Sequence, residues 1–110
     1  MNLRELCERA HSASRNKGWY DVPHDKRNIG EMLALIHSEV SEALESWRNG
    51  EMVGYIGEKG KPEGFPSEIA DIVIRVGDLC GYLGIDLERA VIEKMTFNAT
   101  RPHRHGGKIA

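Results

Sequence analysis

Apolar positions along this chain recur at helical spacing in four stretches, and strict alternation of the strand type is not sustained anywhere. Leu3, Leu6, Cys7 and Ala10 share one side of the first stretch. Asn2 can cap it, and Asn16-Lys17-Gly18 supplies a basic last turn followed by a helix-ending glycine. The second series comprises Met32, Leu33, Ile36, Val40, Ala43, Leu44 and Trp47 and runs to Gly50. It starts at Asn28, with Glu31 at capping-box distance and Asn in place of Ser or Thr. Pro66 suits the first turn of a third helix that carries Ile69, Ile72, Val73, Val76, Leu79, Cys80 and Leu83 to Gly81 or Gly84. Asp86 caps a fourth, in which Leu87, Ala90, Val91 and Met95 are expected to face inward until the chain turns polar at Thr100-Arg101-Pro102. Between Gly50 and Pro66, glycines and Pro62 interrupt every periodicity, which predicts a loop or a short hairpin around Met52-Val53-Gly54-Tyr55-Ile56. The pattern predicts an all-α fold of four to five helices.

Length and charge narrow this picture. A chain of 110 residues fits a single domain. The formal net charge is -2, and Lys and Arg are dispersed among Asp and Glu, so no basic face selects duplex nucleic acid or an anionic membrane. Cys7 and Cys80 sit in apolar helical contexts without a Cys or His at metal-finger spacing, so they read as buried thiols suited to a reducing cytoplasm. No apolar run reaches signal-peptide or membrane-spanning length, and the expectation is a soluble, unexported protein.

The candidate chemistry lies in paired carboxylates. Glu39 and Glu42 are spaced i, i+3, which puts them roughly 60° apart and one turn along the same strip of the second helix. Glu39 falls at the margin of the apolar stripe and is expected to be half buried. Glu68 and Asp71 repeat the spacing on the third helix, where Arg75 and Asp78 continue the strip. The rest of that helix is apolar nearly all round, as in a helix held inside a bundle or an oligomer. Four acids in such a setting repel one another and lose hydration unless cations neutralise them, and oxygen-only ligands favour magnesium or manganese. Either pair alone is commonplace among solvated acidic residues; the pairing of two on adjacent helices is what points to a metal.

A donor cluster follows. Lys94 and Asn98 are spaced i, i+4, and Arg101 comes three residues later at the helix exit. An ammonium, an amide and a guanidinium together suit phosphate oxygens, while cations here also cap the helix against its dipole.

With EVSE at 39–42, EIAD at 68–71 and KMTFNATR at 94–101, the chain resembles the MazG-like all-α nucleoside triphosphate pyrophosphohydrolases. The likeness covers about positions 28–101, so that 1–27 forms an N-terminal helix and loop, 28–101 the catalytic helices and 102–110 a flexible tail. It implies cleavage of a nucleoside triphosphate between the α and β phosphates, as in house-cleaning of the nucleotide pool, with magnesium held by Glu39, Glu42, Glu68 and Asp71. It also implies a homodimer or homotetramer in which helices of different protomers complete the bundle. Ser38 stands where many members carry a further Glu, which bears on how many metals bind. Arg75 can meet substrate phosphate or pair with Asp71 or Asp78.

The residues agree with that chemistry. Magnesium would polarise the phosphate oxygens and acidify an attacking water, whose proton Glu39 or Glu42 could accept. No arrangement for a covalent intermediate and no GxxxxGK[ST] loop is present, which favours direct attack by water. For the nucleobase the aromatic candidates are Trp19, Tyr20, Trp47, Tyr55 and Phe97, with Trp47 read as core and Trp19-Tyr20 as the edge of a pocket. His37 reads as a solvated histidine, and His103 to Lys108 as a loose tail that could instead cover phosphate. Two other readings compete. One is a non-catalytic oligomerisation module whose acidic strip pairs with Arg75, Lys94 and Arg101. The other is a di-iron bundle, disfavoured because the positions three after Glu39 and Glu68 are acidic rather than His.

Overall fold

The computed structural model describes residues 1–21 and 26–102 and consists of four helices, α1 (Leu3–Asn16), α2 (Ile29–Arg48), α3 (Phe65–Leu83) and α4 (Leu87–Ala99). A two-stranded antiparallel hairpin, β1 (Tyr55–Ile56) and β2 (Pro62–Glu63), with a short 3-10 turn at its tip, lies between α2 and α3. Of the expected tail at 102–110, residues 103–110 lie outside the described residues.

The helix starts follow from local chemistry. Asn2, Asn28 and Asp86 each accept a hydrogen bond from the backbone N–H three residues on, at 2.8, 3.0 and 3.1 Å, and so satisfy a donor that has no partner inside the helix. α3 lacks a side-chain cap; it begins at Gly64, whose φ of 98° lies in the left-handed region. A Cβ at Gly64 would stand 2.8 Å from the Val53 carbonyl oxygen, so glycine lets the hairpin fold back onto the start of α3. The Phe65 N–H then donates to the Glu51 carbonyl at 2.8 Å.

α3 is the central element, with α1 and α2 both packed against it. The approach of α1 is close because α3 presents glycine there. A Cβ added at Gly77 would stand 2.7 Å from Leu6 Cδ2, and one at Gly81 would stand 2.5 Å from His11 Cβ and 3.1 Å from the Cys7 carbonyl oxygen. Gly81→Ala should therefore destabilise the fold by about 1–3 kcal/mol through overpacking, even though alanine is the better helix former by about 1 kcal/mol. Chemical denaturation measures this; a variant more stable than wild type would show that α1 does not sit so closely on α3. Cys7 and Cys80 are both buried at this contact, and burial raises both thiol pKa values.

The expected inward face of α4 is not buried. No α4 residue is buried and Met95 is 66 % exposed, because the principal packing of α4 is against α1 alone. Trp47, expected in the core, is 57 % exposed. The reason is that the apolar series of α2 divides into two lines roughly a quarter-turn apart. Met32 and Ala43 are buried, while Leu33, Val40, Leu44 and Trp47 face outward. Among the described residues no side chain is fully buried, and none of the helices is long and apolar enough to cross a membrane.

Candidate functional site

The buried face of α2 carries a carboxylate. Glu39 lies among Met32, Ala43 and Ser46 and is 7 % exposed, more buried than its place at the stripe margin predicts. Its Oε1 accepts a hydrogen bond from Arg75 Nε at 2.8 Å. Its Oε2 is buried and meets no hydrogen-bond donor among the described residues. A carboxylate oxygen in that position costs free energy unless a cation or a water meets it.

Around this oxygen the two helices gather further acids. Glu39, Glu42 and Glu68 each offer a carboxylate oxygen, and these lie within 4.8 Å of one another. The i, i+3 spacing brings Glu42 one turn along from Glu39, and the packing of α3 on α2 brings Glu68 across from another element. Burial raises the pKa of Glu68, and the charges of Glu42, Asp71 and Glu39 raise it further. Asp71 is not within this tight group; it is exposed and lines, with Glu39, the adjoining cavity.

That cavity has a volume of about 350 Å³ and runs between α1 and α3, bounded by Ser14, Lys17, Trp19, Glu39, Asp71, Arg75 and Asp78 among others. A smaller lobe of about 120 Å³ shares Ser14, Trp19, Arg75 and Asp78 with it and adds Arg27, Met32 and Leu35. The Trp19 edge is therefore a cleft wall, as the sequence predicts, whereas Tyr20 is buried behind it. Tyr20 OH donates to Asp78 Oδ1 at 2.8 Å, and His11 Nδ1 lies 3.0 Å from the same oxygen. Burial, together with the bond to Asp78, raises the Tyr20 phenol pKa well above its ordinary value. The His11 and Tyr20 rings meet edge-to-face at 4.8 Å, and the Arg27 guanidinium lies 5.3 Å from the Trp19 ring centre.

The charged strip Glu68, Asp71, Arg75, Asp78 thus faces the groove between α1 and α2, and each member has a different environment. The ion pair of Arg75 is with Glu39 on α2 rather than with Asp71 or Asp78 on its own helix. His37 is exposed on the flank, as expected. Lys94, Asn98 and Arg101 are exposed on and just beyond α4, with Lys94 and Arg101 flanking the Phe97 ring at 5.7 and 6.0 Å. Among the described residues neither cation forms an ion pair with a carboxylate.

The periodicity of the chain does not reveal Ser14, Lys17 and Arg27 as cleft residues, or His11 as the partner of Asp78. Their one signal is His11, a polar ring four residues after Cys7 on the side of α1 that packs inward.

Comparison with protein-family models, with curated proteins and with solved structures found no match.

Proposed function

We propose that this chain is a magnesium-dependent nucleoside triphosphate pyrophosphohydrolase that cleaves the α–β phosphate bond to give a nucleoside monophosphate and pyrophosphate. The observation that carries the reading is the Glu39/Glu42/Glu68 group, whose buried Glu39 Oε2 meets no donor among the described residues, opening onto a cleft walled by an aromatic ring. Glu39, Glu42 and Glu68 fit a hard divalent cation, with Asp71 available from the next turn of α3. These residues would hold magnesium or manganese, which would supply charge neutralisation for the phosphates and acidify the attacking water.

The chain's own residues supply the rest. Arg75 anchors its Nε on Glu39, and its remaining N–H groups, which meet no acceptor side chain among the described residues, are available to a phosphate oxygen. Whichever of Glu39 and Glu42 is less engaged as a ligand accepts the proton of the water. Trp19 offers a face to the nucleoside.

The same reading includes a homodimer or a dimer of dimers. The outward line of α2 and the unburied faces of α4 form an apolar surface of a kind that soluble monomers seldom expose. The radius of gyration, 16.7 Å, exceeds the roughly 13 Å of a compact chain of this length. Lys94, Asn98 and Arg101 are assigned to substrate phosphates in that assembly rather than within one chain. A non-catalytic module with a paired acidic strip is less well supported, because among the described residues Arg75 is the one cation of Arg75, Lys94 and Arg101 that pairs with a carboxylate, and Glu42, Glu68 and Asp71 form no ion pair.

The deciding experiment incubates canonical and damaged ribo- and deoxyribonucleoside triphosphates with the protein and separates the products. Pyrophosphate and monophosphate should appear with magnesium or manganese and not with chelator. Release of orthophosphate alone, or turnover in chelator, would overturn the proposal.

A further inference from the structure

Asp78 has no part in the chemistry described so far, yet it is held as a binding group would be. Both of its protein hydrogen bonds fall on one oxygen, Oδ1, from His11 at 3.0 Å and Tyr20 at 2.8 Å. Oδ2 receives none from the described residues. The side chain is 15 % exposed and lines both the larger cavity and the small lobe. Two arginines line that lobe with it, and either would be the ordinary partner of a part-buried carboxylate. Arg75 is instead engaged by Glu39, and the Arg27 guanidinium lies over the Trp19 and Tyr20 rings. The result is an oriented acceptor left open to the cleft.

Its position gives that acceptor a meaning. Asp78 lies seven residues beyond Asp71 on α3, two turns or roughly 10 Å along the axis. That is about the reach of a nucleoside from its 5′-phosphate to the far edge of its base. Trp19 borders the same lobe.

Building on the pyrophosphohydrolase reading, we infer that Asp78 reads the base. Its Oδ2 accepts from the exocyclic amino group of a nucleobase lying beside Trp19, so the cleft selects amino-bearing bases over uracil and thymine. A carboxylate only accepts hydrogen bonds, and an amino group only donates. Uracil and thymine place a carbonyl oxygen on each side of their one ring N–H, so an oxo group there would face a carboxylate oxygen and leave both unpaired in a desolvated lobe. His11 and Tyr20 act as positioning residues, since two donors on Oδ1 fix the carboxylate plane and direct Oδ2 outward.

The test compares dCMP with dUMP by calorimetric binding, and dCTP with dUTP by kcat/KM, because each pair differs at C4 by amino against oxo. The wild-type protein should favour the cytosine member by about tenfold or more in both measurements. Asp78→Asn supplies an amide donor in nearly the same shape, and should narrow or invert the preference chiefly by improving the uracil member. Should that variant fail to fold, the wild-type ratios decide alone. Equal binding and equal turnover of the two bases would overturn the role of Asp78 while leaving the hydrolase reading intact. If neither monophosphate binds and neither triphosphate is bound or cleaved, both fall together.

Discussion

Glu42→Ala should lower nucleotide turnover by about a hundredfold or more, and Asp71→Ala should do so as well, while helical content by circular dichroism stays near wild type. Each change removes a candidate ligand and also removes a source of repulsion, so loss of activity and loss of fold should separate. Glu68→Gln sharpens the point through its dependence on pH. In the folded chain the Glu68 pKa is raised by burial and by Glu42, Asp71 and Glu39, so the native state binds its proton more tightly than the unfolded state does. The stability associated with the proton is present below the ordinary glutamate range and is lost as pH rises through the raised value. In chelator, Glu68→Gln should therefore melt higher than wild type at neutral pH, with the gain shrinking as pH falls toward the ordinary glutamate range. Magnesium should raise the melting temperature of wild type more than that of the variant. Retained turnover in both alanine variants, or a magnesium effect identical in wild type and Glu68→Gln, would remove the proposed metal centre.

Leu44→Glu should reduce the solution mass from that of an oligomer to that of a single chain. Leu44 lies with Leu33, Val40 and Trp47 on the outward line of α2, and a carboxylate buried there by a partner would have no counter-charge, a cost of several kcal/mol. Loss of association should also depress turnover if the donors of α4 act only in the assembly. Glu45→Lys, at an exposed position roughly a third of a turn around the helix from that line, should leave the mass unchanged. Light scattering coupled to size exclusion reads both variants. A wild-type protein that is monomeric, or a Leu44→Glu protein with wild-type mass, would show that the stripe is not an interface.

The two predictions rest on different amounts of information in the chain. Caps at Asn2, Asn28 and Asp86 act within one turn, so the residues that start α1, α2 and α4 can be named from the sequence. The i, i+3 carboxylates are equally local. By contrast, Trp47 and Met95 read as core because periodicity reports an apolar face without reporting what covers it. Among the described residues nothing buries either side chain.

Arg75 shows the same limit at the site. On one helix its choices are Asp71 and Asp78, and the partner it takes is Glu39 on another, whose carboxylate is buried while the guanidinium keeps contact with solvent. Asp78, released from Arg75, is taken by His11 and Tyr20, which lie far from it in the chain. The chain by itself thus determined the all-α class, the starts of α1, α2 and α4 and the acidic pairs, because caps and periodicity act within a few residues. Which carboxylate is buried, which is paired and which faces the cleft was decided only in the tertiary structure. Glycines at 77 and 81 seat α1 on α3 and bring His11 to Asp78, while the packing of α2 on α3 buries Glu39 and leaves Glu42 and Asp71 exposed.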